Sequence, residues 1–415
     1  PMAVTYRAGV DIGGTFTDIV LLGSDGTVHT KKISSSVGNY AQAIVDGLSE
    51  VFAETGLSGA AIDEIRHGTT VASNAILEHK GARVGLITTK GFRDVLEIRT
   101  LRMPKLYDIG WTKPMPLVER YLRQVVDERV DHRGHVERAL DPADAERAVD
   151  ALLAEKVEAI AVCLLNSFAN PAHEEMLKQV IARKAPHLPR SLSFEVLPEI
   201  KEYERTSTTV INAYVMPIVA TYLRALRKGL DAGGIPARLL LMQSNGGLTT
   251  DSAAAERPMN IIESGPAGGV VGAQALARAK DLDRIITFDM GGTTAKASMV
   301  EHGEVARAQE YAVGAGIMIG SRLLTGAGYT LKVPAIDLAE VGAGGGSHVW
   351  IDGGGALQAG PESAGAAPGP VCYGRGGMQP TVTDAHLVLG HLPDGLLDGS
   401  FALDRTAARR AIDDK

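Results

Sequence analysis

The sequence predicts an α/β protein in which two related domains face a shared cleft, and two observations support this. The stretch AGVDIGGTFTDIVL at residues 8–21 runs from an apolar strand through Asp11 and two glycines into a second apolar strand. Residues 285–304, IITFDMGGTTAKASMVEHGE, repeat the pattern with Asp289 in the position of Asp11. Strands and helices alternate between the copies over a domain-sized distance, so each domain is expected to contribute one hairpin.

The two hairpins predict a site for a phosphate and a divalent cation. Glycine pairs let several backbone N–H groups converge on an anion with no side chain in the way. Asp11 and Asp289 would repel phosphate, so they are the candidate catalytic and metal-binding residues, most plausibly for Mg²⁺, although one of them could instead orient a nucleophile. A plain hairpin turn is the alternative for a single copy, and the second copy disfavours it. The predicted nucleotide-binding residues are Gly13, Gly14, Thr15, Thr17, Gly291, Gly292, Thr293 and Thr294.

Periodicity and capping residues predict the elements between the hairpins in order. Residues 39–56 form a helix that ends at Gly56, and residues 71–81 form a second helix. A strand at RVGLITTKG, a capped helix at 141–157, a buried strand at EAIAVCLLNSF, a further helix and a strand near SLSFEV follow. After these come a long helix at 203–230 that Pro217 should kink, a strand at ARLLLMQSNGGL and a helix at 266–280. We divide the chain into domains at residues 1–200 and 201–415.

Composition excludes several classes of function. A formal net charge of -7 provides no basic field for nucleic acid or for an anionic membrane. No apolar run is expected to span a bilayer, and the first residues do not read as a signal peptide. Two cysteines cannot build a disulfide framework. A cytoplasmic protein is therefore expected.

Longer motifs carry a resemblance to a known family. They include GVDIGGTFTDIV, HGTTVASNAILEHKGARVGLITTKGFRDVLEIR, ESGPAGGVVGA, FDMGGTTAK, EVGAGGGSHVWID and SAGAAPGPVCYGRGG, between about residue 5 and residue 393. The chain resembles the hydantoinase A / 5-oxoprolinase family, which includes acetone and acetophenone carboxylase subunits, within the actin, sugar-kinase and heat-shock ATPase superfamily. Members normally continue beyond this point, so a further C-terminal portion is expected. Members commonly have Asn where His386 stands, so no role is carried over to that side chain.

The resemblance implies duplicated actin-like, ribonuclease H-like domains and an activity. Family members use ATP to phosphorylate a carbonyl or amide oxygen, which lets water open a cyclic amide or prepares a ketone and bicarbonate for carboxylation. By resemblance, the first hairpin would hold one side of an ATP triphosphate and the second hairpin the other. Domain closure would then exclude water. Many relatives work beside a second subunit, so a hydantoinase B-type partner is expected.

Several other residues are candidates with a structural alternative. Gly344, Gly345 and Gly346 could pass their backbone against nucleotide, or form a tight turn for packing alone. His67 is a candidate substrate-side group, although a histidine satisfied by backbone is favoured. Four cations, Lys90, Arg93, Arg99 and Arg102, could meet an anionic substrate, although a solvated charged face is the default for them. The irregular segment 107–121 with Trp111 is a plausible functional loop. The set Cys372, Asp384, His386 and His391 matches no established zinc spacing.

The leading prediction is an ATP-dependent hydrolase subunit that opens a cyclic amide of the hydantoin or 5-oxoproline type. The nearest alternative is a subunit of an ATP-dependent carboxylase that takes a small ketone. A small-molecule kinase would release a stable phosphorylated product. A chaperone-type nucleotide switch is disfavoured because no peptide-binding domain is recognisable after the second hairpin.

Overall fold

The computed structural model describes residues 4–13, 16–35, 39–100, 102–103, 107–292, 294–314, 327–365, 367–397 and 399–415. Strands and helices alternate along most of this chain, which is a mixed α/β fold. The strands are β1 (Tyr6–Ile12), β2 (Phe16–Gly23), β3 (Val28–Ser34), β4 (Ile62–Thr69), β5 (Val84–Thr89), β6 (Arg123–Val126), β7 (Arg129–Val130), β8 (Val136–Arg138), β9 (Ala159–Cys163), β10 (Arg190–Leu192), β11 (Arg238–Met242), β12 (Leu248–Thr250), β13 (Arg284–Met290), β14 (Ala295–Glu301), β15 (Glu304–Val305), β16 (Arg307–Ala308), β17 (Tyr311–Val313), β18 (Tyr329–Leu331), β19 (Ala335–Ile336), β20 (Ala339–Val341), β21 (Ser347–Ile351), β22 (Leu357–Ser363), β23 (Gly395–Leu396) and β24 (Phe401–Ala402).

The helices match the predicted periodic segments with shorter ends in several places. Helix α1 begins after Asn39, whose side chain accepts from the Gln42 backbone, and ends at Gly56 in a left-handed conformation. The end at Gly56 was predicted from the sequence. The α-helices are α1 (Tyr40–Thr55), α2 (Val71–Leu77), α3 (Val95–Ile98), α4 (Pro142–Ala154), α5 (Ala172–Lys184), α6 (Ser193–Val196), α7 (Glu202–Ala232), α8 (Asp251–Glu256), α9 (Ser264–Ala279), α10 (Val382–Val388) and α11 (Arg405–Asp413).

The first hairpin lies at the centre of a six-stranded mixed sheet with the order β12-β11-β4-β1-β2-β3. Strands β1, β2 and β3 pair antiparallel, whereas β4 joins β1 in parallel and β11 joins β4 in parallel. Alternate residues of β1 are buried, from Tyr6 to Ile12. Because side chains alternate along a strand, Asp11 faces away from this core.

A second sheet, with the order β10-β9-β5-β6, is parallel throughout and follows the apolar runs of the sequence. Every residue of β5 and β9 is buried, as expected for strands that are covered on both faces. One continuous core spans both sheets. The predicted domain boundary at residue 200 does not follow these sheets, because β11 and β12 return to the first sheet from beyond it.

The long helix α7 contains Pro217 and packs against α1, α2 and β9. By length and hydropathy alone this helix is able to cross a membrane, which corrects the expectation that no segment is apolar enough. Its most apolar window is 56% buried inside the protein, so more than half of that window packs within the protein.

The second hairpin belongs to a smaller sheet in which β14 pairs with β13, β15 and β20. Among the described residues, β13 has a strand partner on one side only. Ile286 and Phe288 on this strand are 75% and 63% exposed. The second hairpin is therefore supported by a much thinner core than the first.

Candidate active site

The two predicted hairpins share the same turn geometry. The Gly13 amide donates to the Phe16 carbonyl over 2.9 Å, and the Gly291 amide donates to the Thr294 carbonyl over 2.9 Å. In both, the aspartate is the second residue before the glycine that closes the turn. The sequence repeat is thus a repeat of structure at these positions. Gly14, Thr15 and Thr293 lie outside the described residues, so their predicted roles stay predictions.

Asp11 and Asp289 come close enough for their charges to interact. The pKa of Asp11 is raised to about 6, first by burial and then by the negative charges of Asp18 and Asp289, with Lys32 acting in the opposite direction. Asp18 lies directly opposite Asp11 across the hairpin, and Lys32 neutralises it through a 2.6 Å ion pair. Asp11 therefore lacks a cation of its own, which fits a carboxylate that receives a metal ion.

Backbone from two other elements crowds Asp11 on its inner side, while solvent reaches its outer side. A Cβ placed at Gly68, in β4, would lie 3.0 Å from Asp11 Oδ1, and one at Gly265, near the start of α9, would lie 3.4 Å from it. The Ser264 hydroxyl ties these elements together, since it donates to the Thr69 carbonyl and accepts from the Thr69 amide over 2.8 and 3.0 Å. The beginning of α9 is thus held against the carboxylate.

A partly buried ion pair borders the second hairpin. Lys296 lies directly opposite Asp289 in the β13–β14 pairing, and its Nζ lies 2.5 Å from Glu263. Burial opposes the charge on Lys296, but the carboxylates of Glu263, Glu340 and Asp289 outweigh it, so its pKa is raised. The side chain remains a cation beside Asp289. The hairpin repeat alone does not indicate it, because the first hairpin has Asp18 at the matching position.

The glycine loop at residues 344–346 braces the second hairpin, and its predicted contact with nucleotide stays a prediction. The amides of Gly345 and Gly346 donate to the carbonyls of Gly291 and Gly292 over 2.8 and 2.7 Å, and the amide of Gly344 donates to the Ser347 hydroxyl. All three N–H groups are therefore already used. A Cβ at Gly346 would lie 3.0 Å from the Gly292 carbonyl oxygen, so glycine is needed for close approach.

His67 is a core residue, and its predicted role toward the substrate is wrong. Its side chain is fully buried between strands, with Nδ1 3.1 Å from the Val10 carbonyl and Nε2 2.6 Å from the Tyr222 hydroxyl. Because a carbonyl only accepts, Nδ1 carries the proton and Nε2 accepts from Tyr222. Burial lowers the pKa of His67 to about 4, so the ring is neutral. The alternative given above, a histidine satisfied by backbone, describes it correctly.

Thr17 supports the first turn from behind. Its side chain is fully buried and its hydroxyl lies 2.9 Å from that of Ser35, which in turn donates to the Gly13 carbonyl over 2.8 Å. The hydroxyl therefore does not face the cleft, contrary to the predicted phosphate contact. Gly292 and Thr294 remain at the surface of the second hairpin.

The four residues considered for zinc do not form a metal site. Asp384 is buried and accepts from the backbone amides of Val371, Cys372 and Thr381, so it organises the loop before α10. His386 and His391 pair with each other through Nδ1 atoms 3.0 Å apart. Within the part of the chain that the structure describes, no three side chains of the types that hold metals are grouped.

Comparisons with known proteins agree with the motifs. The hydantoinase/oxoprolinase family profile matches residues 205–415, and the profile of the hydantoinase/oxoprolinase N-terminal region matches residues 7–185. Caprolactamase subunit alpha from Pseudomonas jessenii is 39% identical over 99% of this chain and 58% of its own length. 5-Oxoprolinase 1 from Arabidopsis thaliana is 35% identical over 98% of this chain and 33% of its own length.

Two solved structures share the fold at a TM-score of 0.79. The ATP-dependent caprolactamase from Pseudomonas jessenii is 38% identical, with 98% of this chain and 58% of that chain covered. Nucleotide-free acetone carboxylase is 28% identical, with 100% of this chain and 59% of that chain covered. The chain thus spans about three-fifths of the length of these two proteins.

Proposed function

The chain belongs to the hydantoinase/oxoprolinase family, and on that premise we propose that it is part of an ATP-dependent enzyme that opens a cyclic amide. The observation that carries the proposal is the approach of Asp11 and Asp289, each from its own copy of the same hairpin. Relatives named caprolactamase and 5-oxoprolinase support this substrate class. The two hairpins would form the phosphate-binding turns of a duplicated, actin-like ATPase fold.

ATP would drive the reaction by activating the amide oxygen. The γ-phosphoryl group moves to that oxygen and ADP leaves. Water then adds to the amide carbon that carries the phosphorylated oxygen. The C–N bond then breaks as the nitrogen takes a proton, and a second water releases phosphate from the carboxyl group. The turns hold the triphosphate, and the cleft keeps water from the γ-phosphoryl group until the acceptor is in line.

Asp11 and Asp289 fit a magnesium ion. Burial, and after it the negative charges of Asp18 and Asp289, raise the pKa of Asp11, and a bound cation would relieve both effects. Two carboxylates leave room for the water and phosphate ligands that Mg²⁺ prefers. When bound there, the ion supplies positive charge to the transferring phosphoryl group. Lys296, held by Glu263, contributes a second cation beside Asp289.

We also propose a second, hydantoinase B-type subunit and a cytoplasmic location. The relative from Pseudomonas jessenii is named as a subunit, which supports a partner. Cys163 and Cys372 are both free and buried, which suits a reducing compartment.

The test is ATP turnover by the purified protein together with any subunit that copurifies. Hydantoin, 5-oxoproline, caprolactam and acetone are compared with and without bicarbonate. A cyclic amide should stimulate ADP release without bicarbonate and yield the ring-opened amino acid. Asp11→Asn and Asp289→Asn should each lower that turnover about 100-fold, because each change removes a ligand of the magnesium ion that offsets the negative charge of the transferring phosphoryl group. Asp46→Asn, on the exposed face of α1, should have no effect.

Other outcomes would assign other functions. Turnover that needs both a ketone and bicarbonate would indicate a carboxylase, which the equal TM-score with acetone carboxylase makes the second candidate. A stable phosphorylated product would indicate a kinase. Full activity in both aspartate variants would remove the hairpins from the mechanism.

A further inference from the structure

Each hairpin contains a Gly-Gly peptide bond that can turn over unless another group holds it. Neither glycine of the pairs Gly13-Gly14 and Gly291-Gly292 carries a Cβ, so rotation of the peptide between them has little steric cost. A trans peptide is planar, and its C=O and N–H groups point in opposite directions. The direction of the carbonyl therefore decides whether the N–H or the oxygen faces a bound phosphate.

In the second turn, this peptide is held by its carbonyl. The Gly345 amide donates to the Gly291 carbonyl over 2.8 Å, from the side of the glycine loop. The N–H of the same peptide belongs to Gly292, so it points away from that loop. Gly292 is exposed, and no acceptor among the described residues is bonded to its N–H. The turn thus presents a free donor in a fixed direction at its surface.

The glycine loop is itself held in place. The Thr383 amide donates to the Gly345 carbonyl, and the Ala364 amide donates to the Gly346 carbonyl, each over 2.8 Å. Thr383 lies in the first turn of α10, beside the fully buried Asp384, whose carboxylate accepts from three backbone amides. The loop therefore cannot follow a rotation of the turn peptide without breaking these bonds.

The first turn has a matching anchor of a different kind. Ser35 Oγ donates over 2.8 Å to the carbonyl of Gly13, which holds the position of Gly291 in the repeat. Because the Ser35 hydroxyl has one hydrogen, the buried Thr17 hydroxyl 2.9 Å away donates to it and orients it. The amide of this peptide belongs to Gly14, which lies outside the described residues. The two copies thus share a held carbonyl, although a hydroxyl holds one and a backbone amide holds the other.

Holding the carbonyl prepares a turn for an anion. The peptide cannot present its oxygen to the phosphate, where the two negative groups would repel. A carbonyl that accepts a hydrogen bond also polarises its peptide, which makes the N–H on the other side a stronger donor. The conformational entropy of the Gly-Gly segment is then lost on folding and not on nucleotide binding, which favours binding.

We propose that Ser35 and the glycine loop at residues 344–346 are positioning elements for the triphosphate, each fixing a Gly-Gly peptide with its N–H toward the phosphates. The proposal rests on the proposed function and adds to it the residues that set the two turns. Ser35 acts through the Gly13 carbonyl and not by contact with the nucleotide.

The test compares binding of β,γ-imido-ATP, a non-hydrolysable triphosphate, with binding of AMP, which lacks the β- and γ-phosphates. Calorimetry in the presence of Mg²⁺ measures both affinities, and ADP release with a cyclic amide is measured in parallel. For the first turn the variants are Ser35→Ala and Ser35→Thr. The matched control is Ser49→Ala, because the Ser49 hydroxyl also donates to a backbone carbonyl over 2.8 Å, but on α1. Thermal unfolding of each variant identifies any loss of fold.

The second turn is tested with Gly346→Ala and the control Gly353→Ala. A Cβ at Gly346 would lie 3.0 Å from the Gly292 carbonyl oxygen and 2.8 Å from the Ser363 hydroxyl, so the turn peptide must shift. A Cβ at Gly353, between β21 and β22, would meet nothing within 4 Å.

We expect Ser35→Ala to weaken β,γ-imido-ATP binding about fivefold, the effect of one ordinary hydrogen bond, and to leave AMP binding unchanged. Ser35→Thr keeps the hydroxyl and should stay within about twofold of wild type. Gly346→Ala should also weaken the triphosphate selectively, whereas Ser49→Ala and Gly353→Ala should match wild type.

Wild-type affinity for β,γ-imido-ATP in Ser35→Ala, or an equal loss of both nucleotides, would overturn the proposal. A selective loss of the triphosphate, in a protein that releases no ADP with any cyclic amide, would leave the positioning role assigned and contradict the proposed reaction. A wild type that binds neither nucleotide would contradict both.

Discussion

At the scale of single residues, burial makes the polar side chain of His67 a neutral part of the core. Its ring is enclosed between β1, β4 and α7, with both nitrogens bonded. The pKa falls from an ordinary value of 6.5 to about 4, so the folded protein excludes a proton that the unfolded chain accepts. Acid therefore stabilises the unfolded state from about pH 6.5 downward.

The expected consequence is a pH-dependent stability that belongs to this residue. Between pH 7.5 and pH 5, wild-type protein should lose about 2 kcal/mol more unfolding free energy than His67→Gln, which cannot titrate but keeps one donor and one acceptor. Urea unfolding at the two pH values measures the difference. Parallel pH profiles for the two proteins would show that His67 is not the group responsible.

The Asp11 carboxyl should give the opposite pH dependence, with stability falling as the pH rises. Its folded pKa lies above its unfolded value of 3.8, so the ionised form is disfavoured in the folded protein and stability is lost as pH rises from about 4 through 6. Asp11→Asn should therefore raise the unfolding free energy at pH 7.5, by about 1 kcal/mol after allowance for solvent access, while it removes activity. Magnesium with ATP should narrow the difference by stabilising only the wild type, as thermal unfolding would reveal. An Asn variant that is less stable than wild type at pH 7.5 would contradict this account.

The sequence predicted the approach of Asp11 and Asp289 because a repeated motif carries its own geometry. It did not separate residues that face the cleft from those that support the turn. Thr17 and the glycines at 344–346 have the residue types that bind phosphate, yet their hydrogen bonds are made within the protein. Ser35, the partner of Thr17, lies in another part of the sequence. The partners of Gly345 and Gly346 are backbone carbonyls of the second hairpin, which no residue type identifies.

At the scale of elements, the glycines of helix α9 differ in their surroundings. A Cβ at Gly265 would lie 3.4 Å from Asp11 Oδ1, whereas Gly269 and Gly272 are exposed and face open space. Close packing of the helix face therefore does not explain Gly269 and Gly272. Glycine inside a helix is unfavourable by about 0.5–1 kcal/mol relative to alanine.

Alanine substitutions at these glycines should therefore have different effects on stability and on ATP turnover. Gly269→Ala and Gly272→Ala should each raise the unfolding free energy by about 0.5–1 kcal/mol and leave ATP turnover unchanged. Gly265→Ala should lower turnover several-fold, because the added methyl would lie in van der Waals contact with Asp11 Oδ1, on the carboxylate proposed to hold the ion. Chemical unfolding and ADP release on the same preparations test both parts. Loss of turnover in Gly272→Ala would mean that the outer face of the helix is itself functional.

Most elements could be predicted because local signals fix them. Asn39 and Gly56 mark the ends of α1, and Asp141 caps α4. The assignment of strands to sheets was harder to predict. Strand β11 belongs to the first sheet, although all strands of the second sheet lie between it and β4 in the sequence. Long-range pairing of this kind has no signature in hydrophobic periodicity, so the return of β11 to the first sheet could not be predicted from the sequence.

At the scale of the whole molecule, the two hairpins repeat in sequence but differ in burial. Ala8 and Val10 of β1 are 1% and 3% exposed, whereas Ile286 and Phe288, which match them in the repeat, are 75% and 63% exposed. Met290, which lies on the same face of β13 as these two residues, is 36% exposed. Contiguous apolar surface of this kind favours association.

We expect the 415-residue chain to associate through this face of β13. Phe288→Lys should lower both its self-association and its binding of a hydrophobic dye, because a charge on an exposed strand opposes edge and face contacts. Leu77→Lys, which changes a 56% exposed leucine on α2, is the matched control and should change neither. Light scattering over a range of protein concentrations gives the association, and dye fluorescence gives the exposed surface. A wild-type chain that stays monomeric and binds no dye would show that the face of β13 does not act as a contact surface in solution.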